Sequence, residues 1–321
     1  MRVLVTGGAG FIGANLVEVL LGDDRVKLVR VLDNLATGYR HNIKDFLSHP
    51  KFEFIEGDIR NYNTCIEACS GMDTVSHQAA LGSVPRSIKD PVISNEVNIS
   101  GTVNVFTAAK ESGVQRVVYA ASSSTYGDHP GLPKVEDQIG KPLSPYAVSK
   151  YVGELYAQVF ASTYGLETIG LRYFNVFGPK QDPNGAYAAV IPLFMKAVLD
   201  NEPPTINGDG ETSRDFTFVA NAVHANLQAL FTNNQAALNQ VYNIAFGERT
   251  TLNDLFTHIK SIAGSDLAPK YGPERSGDVR HSLANIDKAK SLLGYQPQVS
   301  VREGLKTAFD WYRKHHHFAY S

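Results

Sequence analysis

At 321 residues the chain exceeds the usual size of a single hydrophobic core, so we expect one large domain and a smaller one sharing its surface. Apolar residues make up 43% and charged residues 19%, with 30 Lys and Arg against 32 Asp and Glu, so no basic surplus favours nucleic acid or an anionic membrane as a partner. No apolar run is long enough to span a bilayer, and no signal-peptide pattern precedes the first strand, so we expect a cytoplasmic protein.

The first half of the chain alternates short apolar runs with segments of helical periodicity. In chain order we predict a strand at 2–6, a helix at 14–21, strands at 27–32, 52–56 and 74–76, a helix at 97–111, a strand at 116–121, a helix at 145–164 and a strand at 167–171. This alternation is typical of an α/β protein with a parallel, doubly wound sheet of the Rossmann type. Cys65 and Cys69 lack disulfide spacing and the partners of a zinc site, so we expect reduced, buried thiols and no metal.

The sequence pattern changes near residue 175, after which glycine and proline residues separate shorter predicted elements. Helices are predicted at 190–199, 252–262 and 301–312. We therefore expect a Rossmann domain at 1–174 and a smaller α/β lobe at 175–321, with some segments of the lobe returning to the first domain.

A glycine loop follows the first predicted strand and opens the first predicted helix, with glycines at Gly7, Gly10 and Gly13. In this position the first glycine permits a tight turn, the second lets backbone N–H groups approach a pyrophosphate, and the third lets helix and strand pack closely. The helix N-terminus adds positive partial charge. A glycine-rich turn without a ligand is the alternative, and the surrounding strand and helix argue against it.

Acidic residues end the second and third predicted strands. Asp33 lies 20 residues after Gly13, where a carboxylate accepts hydrogen bonds from an adenosine ribose and repels a 2′-phosphate. Asp58 and Ile59 are placed to meet the adenine. We therefore expect NAD, rather than NADP, as the cofactor.

A YxxxK pattern places Tyr146 and Lys150 four residues apart, and hence on one face of a predicted helix. A tyrosine with an ordinary pKa near 10 is a poor base at neutral pH, but a neighbouring ammonium and an oxidised nicotinamide favour the phenolate. Ser122 follows the strand at 116–121, at the sheet edge where ligands bind in open α/β folds. Its hydroxyl could relay a proton to Tyr146. The alternative is an exposed tyrosine–lysine pair beside a serine-rich turn, with no catalytic function.

Several motifs together resemble the extended short-chain dehydrogenase/reductases, and within them the UDP-hexose 4-epimerases. They are the glycine loop, Asp33-Asn34-Leu35, His77-Gln78-Ala79-Ala80, Asn98, the serine run at 122–124, YxxxK and residues 172–179. The stretch at 80–87 is similar to the bacterial group acting on UDP-N-acetylglucosamine and UDP-N-acetylgalactosamine. The resemblance covers nearly the whole chain.

This resemblance implies a role for each matching residue. It implies that Ser122, Tyr146 and Lys150 are catalytic, with Tyr146 as the base and Lys150 holding the nicotinamide ribose. Implied cofactor contacts are Gly7, Gly10, Phe11, Ile12, Gly13, Asp33, Asn34, Asp58, Ile59, Gln78, Ala79, Ala80, Asn98, Tyr146, Lys150 and Tyr173. Implied substrate contacts are Gly82, Ser83, Ser122, Ser123, Ser124, Tyr146, Asn175, Val190, Asn207, Arg214, Arg275, Asp278 and Ser282.

Two departures from the family pattern bear on the substrate. Many UDP-galactose epimerases carry a lysine at the position of Gly82 and a tyrosine at the position of Ser282, and small residues at both widen the sugar pocket. The resemblance thus implies NAD-dependent 4-epimerisation of UDP-N-acetylglucosamine and UDP-N-acetylgalactosamine, and of UDP-glucose and UDP-galactose as further substrates, through a transient 4-keto sugar. It also implies a homodimer formed by the helices at 97–111 and 145–164.

Two other functions remain open from the sequence. A dehydratase or decarboxylase could use the same scaffold, but dehydratases carry an Asp-Glu pair where Ser123 and Ser124 stand. An NAD-binding sensor without chemistry is expected to lack Tyr146 or Lys150, and both are present.

Overall fold

The computed structural model describes residues 1–185, 187–274 and 279–315 of the chain. Its strands are β1 (Arg2–Thr6), β2 (Leu28–Asp33), β3 (Phe52–Glu56), β4 (Thr74–His77), β5 (Arg116–Ser122), β6 (Glu167–Tyr173), β7 (Val176–Phe177), β8 (Thr205–Asn207), β9 (Ser213–Arg214), β10 (Thr217–Phe218), β11 (Gln240–Ile244), β12 (Thr250–Thr251) and β13 (Lys270–Gly272). Its helices are α1 (Phe11–Leu21), α2 (Tyr62–Cys69), α3 (Val84–Lys89), α4 (Pro91–Asn95), α5 (Gly101–Glu111), α6 (Pro145–Tyr164), α7 (Val190–Leu199), α8 (Val219–Phe231), α9 (Leu252–Ala263) and α10 (Val301–His315).

Seven parallel strands form the central sheet in the order β11-β6-β5-β4-β1-β2-β3. The predicted fold class, a doubly wound Rossmann sheet, is confirmed. The chain runs outward from β1 through β2 to β3 and then resumes with β4 on the other side of β1. This reversal opens a crevice at the carboxyl ends of β1 and β4, which is where such sheets bind ligands.

Two elements of the central sheet layer were not predicted from the sequence. Helix α8 packs against α1 and several central strands, and β11 pairs with β6 at the edge of the sheet. The sequence of α8 gave no clear apolar stripe because two of its buried positions are Asn221 and Asn226. Strand β11 contains the buried Asn243, which interrupts its apolar pattern. The central sheet therefore takes a strand from beyond residue 174.

In the described part of the smaller lobe, helices α7, α9 and α10 pack on one another beside three short two-stranded sheets, β7 with β10, β8 with β13 and β9 with β12. Aromatic rings pack its interior: Phe177 lies against Phe216 and Phe218, with ring centres 6.4 and 5.6 Å apart. Cys65 and Cys69 are free and buried on α2, as predicted. Among the described residues, none of the helices combines the length and the apolar character that a bilayer crossing requires.

Candidate active site

A cavity of about 660 Å³ opens at the carboxyl ends of the central strands. The residues that line it come from segments between Gly7 and Ala189. The predicted site residues that line it are Gly7, Gly10, Phe11, Ile12, Gly13, Asp33, Asn34, Asp58, Ile59, Gln78, Ala79, Ala80, Gly82, Ser83, Ser122, Ser123, Tyr146, Lys150, Tyr173 and Asn175.

The glycine loop has the close contacts that exclude side chains. Gly7 has a φ of +70°, and a Cβ added there would lie 2.6 Å from the backbone nitrogen of Ala79. A Cβ on Gly13 would lie 2.1 Å from the carbonyl oxygen of Gly7. Helix α1 begins at Phe11, three residues earlier than predicted, and no acidic residue occupies its first turn. The loop and the positive helix end therefore fit a dinucleotide diphosphate.

Asp33 is buried at the end of β2. Its carboxylate accepts hydrogen bonds from the backbone N–H groups of Ala9, at 2.9 Å, and Leu35, at 2.8 Å. Burial raises the pKa of Asp33, and these donors oppose the shift. A carboxylate has about four lone-pair sites, so two bonds leave capacity for the two hydroxyls of a ribose.

Asp58 lies two residues after the end of β3, and its carboxylate is bound by side chains rather than by backbone N–H groups alone. The Arg60 guanidinium, 2.7 Å away, lowers the pKa of Asp58 to about 2. Asn34 donates a further hydrogen bond to it at 2.8 Å. Asp58 is therefore ionised at every physiological pH, and Asn34 is fixed beside it.

A polar network that sequence reasoning missed lies beneath the cavity. Tyr173 donates to the Gln78 side-chain oxygen at 3.2 Å, and Asn226 on α8 donates to the Tyr173 oxygen at 2.7 Å. Gln78 closes the triangle by donating to Asn226 at 3.0 Å. Burial raises the pKa of Tyr173 to about 12, so it stays a neutral donor. Asn226 carried no sequence signal, because α8 itself was not predicted.

Helix α6 delivers Tyr146 and Lys150 to the opposite wall. Ser144 caps the helix by accepting from the Ala147 N–H at 3.1 Å, and Pro145 fills the first helical position. The Lys150 ammonium lies 6.0 Å from the centre of the Tyr146 ring and donates to the Ala120 carbonyl at 2.8 Å. Burial lowers the pKa of Lys150 to about 8, within reach of neutral pH.

Ser122 connects the end of β5 to Tyr146. Burial raises the pKa of Tyr146, whereas its hydrogen bond with Ser122 lowers it and so favours the phenolate. The Ser122 oxygen accepts from the Ser124 N–H at 3.2 Å and pairs with the Ser124 hydroxyl at 2.9 Å. Because these contacts use the acceptor side of Ser122, its own proton is left to point at Tyr146.

Asn98 lies behind the cavity wall. Its side chain accepts from the Leu81 N–H at 2.8 Å, donates to the Leu81 carbonyl at 3.1 Å, and donates to Ser149 at 3.1 Å. This residue thus fixes the backbone beside Gly82. Ser124 likewise acts through its contacts with Ser122.

The remaining predicted substrate residues lie in the smaller lobe, outside the cavity described above. Val190 begins α7, next to the lining residue Ala189. Asn207 ends β8 opposite Gly272. Arg214 and Ser282 lie close together, because Ser282 donates its N–H to Ser213 at 3.1 Å and Arg214 donates to the Arg280 carbonyl at 3.3 Å. Arg275 and Asp278 fall outside the residues that the structure describes.

The fold and the cavity define a Rossmann enzyme with a dinucleotide site. The model of the NAD dependent epimerase/dehydratase family matches residues 3–245. A putative UDP-glucose 4-epimerase of Methanocaldococcus jannaschii is 39% identical over 311 residues, 96% of this chain and 97% of that protein. The chain belongs to the NAD-dependent epimerase/dehydratase family, as predicted, and NAD is confirmed as its cofactor.

Two solved structures superpose over almost the entire chain. A UDP-N-acetylglucosamine 4-epimerase from Methanobrevibacter ruminantium, in complex with UDP-N-acetylmuramic acid, has a TM-score of 0.92 and 39% identity, and 98% of each chain is covered. A UDP-glucose 4-epimerase from Thermotoga maritima with UDP-glucose has a TM-score of 0.91 and 38% identity, covering 98% of this chain and 99% of that one. The two neighbours differ in the sugar that each is named for.

Proposed function

We propose that this enzyme interconverts UDP-N-acetylglucosamine and UDP-N-acetylgalactosamine by NAD-dependent epimerisation at carbon 4. The observation that carries the proposal is the meeting of Ser122, Tyr146 and Lys150 in the cavity that also contains the glycine loop and Asp33. A base at one end of a dinucleotide site suits oxidation of a sugar hydroxyl. The 4-epimerase neighbours support carbon 4 as the reacting position.

In the proposed mechanism, Tyr146 accepts the proton of the sugar 4-hydroxyl, and Ser122 donates its own proton to the phenolic oxygen of Tyr146. The Lys150 ammonium favours the phenolate, since opposite charge stabilises it. NAD, when bound, supplies reversible hydride acceptance at carbon 4. The 4-keto sugar turns over while its nucleotide stays anchored. Tyr146 then returns the proton to the oxygen at carbon 4, and carbon 4 would regain the hydride on its opposite face from the reduced cofactor. Asn175 and the smaller lobe are the proposed anchors for that nucleotide.

The choice of an acetylated sugar is supported by two small residues. A Cβ added at Gly82 would meet nothing within 4 Å, so open space adjoins this part of the wall. Ser282, whose N–H bonds to Ser213 next to Arg214, also carries a short side chain. An N-acetyl group at carbon 2 needs room in both orientations of the sugar, and the pocket has to accept it twice in each turnover. UDP-glucose, which is smaller, is the second proposed substrate.

The deciding experiment is incubation of the purified protein with UDP-N-acetylglucosamine and, separately, with UDP-glucose. We expect UDP-N-acetylgalactosamine and UDP-galactose, respectively, with the higher kcat/KM for the acetylated sugar. A reaction that gives a dehydrated 4-keto-6-deoxy sugar, or no reaction with either substrate, would contradict the proposal. A kcat/KM favouring UDP-glucose would contradict only the substrate preference.

We also propose a homodimer formed through α5 and α6. Helix α6 exposes an apolar stripe in which Val148, Leu155 and Val159 are 45%, 43% and 51% exposed. Burying such a stripe against its copy is favourable by about 25 cal/mol per Å². Light scattering should give twice the chain mass for the wild type and a lower mass for Val159→Glu.

Free, buried Cys65 and Cys69 fit a reducing compartment, which we propose is the cytoplasm.

A further inference from the structure

Two ion pairs, the first partly and the second fully buried, connect β5, β6 and their neighbours at opposite ends of the strands. Arg116 opens β5 and pairs with Glu167, the first residue of β6, at 2.7 Å. Arg172 lies near the carboxyl end of β6 and pairs with Glu154 of α6, also at 2.7 Å. The two arginines lie at opposite ends of the paired strands β5 and β6, in which Arg116 is opposite Glu167 and Ala121 is opposite Arg172. Only the second pair lies beside the proposed active site.

The Glu154–Arg172 pair is completely enclosed. Its two side chains are 3% and 4% exposed, and the guanidinium forms a fork with both carboxylate oxygens, at 2.8 and 2.7 Å. The third nitrogen of Arg172 donates to the Tyr126 hydroxyl at 3.1 Å and to the Glu136 carbonyl at 2.8 Å. Tyr126 in turn donates to Asn243 at 2.6 Å. A planar, permanently charged fork is suited to fixing several elements at once.

The elements joined by this guanidinium are those that deliver the reacting groups. Glu154 is eight residues beyond Tyr146 and four beyond Lys150, so the three share a face of α6 that spans about 12 Å. Tyr126 ends the short helical turn at 123–126, which packs against α6 and begins directly after Ser122. The separation of Ser122 and Tyr146 therefore depends on how α6 sits against this turn.

We infer that Arg172, held by Glu154, is a positioning residue that sets the contact between Ser122 and Tyr146 by locking α6 to the turn at 123–126. The inference rests on the proposed function for its kinetic consequence, but the contact itself exists without a substrate. Weakening the contacts of Arg172 with Glu154 and Tyr126 should weaken the hydrogen bond between Ser122 and Tyr146. Since that bond lowers the pKa of Tyr146, the pKa should then rise.

The experiment compares wild type, Glu154→Gln and Tyr126→Phe, each loaded with NAD. Glu154→Gln keeps the side-chain shape and one acceptor oxygen, and Tyr126→Phe removes only the hydroxyl. Glu167→Gln is the matched control, because it alters the ion pair at the far end of the same strands. Tyrosinate absorbance is titrated for each protein against the same protein carrying Tyr146→Phe, which isolates Tyr146. The elements packed against α6 carry several charged and titratable groups: Arg86 and Lys89 on α3, Glu96 on the helical turn at 96–100, Lys110 and Glu111 on α5, Arg116 and Tyr119 on β5, Tyr126 on the turn at 123–126, and Glu167, Arg172 and Tyr173 on β6. Helix α6 itself carries Lys150, Tyr151, Glu154, Tyr156 and Tyr164.

For Glu154→Gln we expect kcat to fall by about 10- to 100-fold with little change in KM, as misplacement of a reacting group does. We expect the Tyr146 titration to move to higher pH, and a smaller change of the same sign in Tyr126→Phe. Charge alone predicts the opposite sign, since removing the carboxylate leaves the Arg172 cation unbalanced and favours the phenolate. Glu167→Gln should change neither quantity.

An unchanged or lowered Tyr146 titration in folded Glu154→Gln would overturn the inference. If that variant does not fold, Tyr126→Phe decides in the same way. A shift of equal size in Glu167→Gln would also overturn it, because it would reflect general loosening of the strands. If even wild type epimerises no sugar, the proposed function fails, and the titration, which needs no sugar, still tests the positioning role.

Discussion

The cofactor side of the cavity and the smaller lobe are built from contacts of different range. On the cofactor side, Gly7, Gly13 and Asp33 lie within one strand–helix–strand unit, and Asp33 contacts the loop directly through Ala9. In the smaller lobe, β8 pairs with β13 and β9 with β12, segments that are far apart in the chain. Local geometry therefore fixes the first region, and long-range pairing fixes the second. Substitutions that change one region at a time should therefore have separable effects.

The largest expected effect is the loss of turnover in Tyr146→Phe. This change removes the titrating oxygen but keeps the ring, and loss of a general base typically costs about 100- to 10,000-fold. We expect kcat to fall by that factor while the NAD content of the purified protein is unchanged, because the glycine loop is independent of Tyr146. Tyr164→Phe, at the exposed end of the same helix, is the control. Turnover near the wild-type rate with NAD bound would remove Tyr146 from the proposed role.

The same contrast explains what the sequence could and could not predict. The bounds of β1, β3, α6 and α7 follow from local apolar patterns and agree with the prediction. The local patterns did not predict helix α8 and strand β11 because buried asparagines interrupt them, and the side chains of these asparagines bond largely to groups that are distant in the chain. Asn226, for example, bonds to Gln78 and Tyr173.

Site residues divide in the same way. Those on the loop after each central strand lie in the cavity, since parallel strands all end at one edge. Asn207, Arg214 and Ser282 depend on how the small sheets pair, and no spacing rule connects them to the strands. Their substrate roles stay predictions.

Gly13→Ala should damage the cofactor side through one methyl group. The added carbon would lie 2.1 Å from the Gly7 carbonyl oxygen, so the loop must move. Overpacking of this kind typically costs about 1–3 kcal/mol, and we expect the free energy of unfolding and NAD affinity to fall together. The matched control is Gly153→Ala on α6, where a Cβ meets nothing within 4 Å and alanine should stabilise the helix by about 0.5–1 kcal/mol. Calorimetry that finds wild-type NAD affinity in Gly13→Ala would show that the loop tolerates a side chain.

Ser282→Tyr tests the smaller lobe. If residue 282 faces carbon 2 of the sugar, a bulky ring should obstruct the N-acetyl group, again at a cost of about 1–3 kcal/mol. That corresponds to roughly a five- to more than hundredfold loss in kcat/KM for UDP-N-acetylglucosamine. Activity on UDP-glucose should be spared, so the ratio of the two kcat/KM values is its own control. A ratio that does not move toward UDP-glucose would mean that residue 282 does not face carbon 2.

The smallest expected effect concerns the segment that joins the two regions, residues 179–182. Each of its four residues bonds to a different part of the molecule. The Pro179 carbonyl accepts from Asn15, and Lys180 forms an ion pair with Glu18. The Gln181 carbonyl accepts from Tyr312, and Asp182 accepts from Tyr39 at 2.6 Å. Gln181 lines the cavity, as do Thr37 and Gly38 directly before Tyr39. The Tyr39–Asp182 bond thus closes the segment over the part of the cavity that Thr37, Gly38 and Gln181 line, where we propose that the adenosine end of NAD binds.

Tyr39→Phe removes that bond and keeps the ring that stacks on His41. A single hydrogen bond contributes about 0.5–1.5 kcal/mol, so NAD should leave the enzyme faster by up to about tenfold, while kcat with saturating NAD stays near wild type. Release is measured by diluting NAD-loaded enzyme into a trap for free cofactor. The matched control is Tyr62→Phe, which removes a tyrosine hydroxyl bonded to Glu111, between α2 and α5. If both variants release NAD at the wild-type rate, the segment lies beside the cofactor without restraining it, and the two regions of the molecule hold their ligands independently.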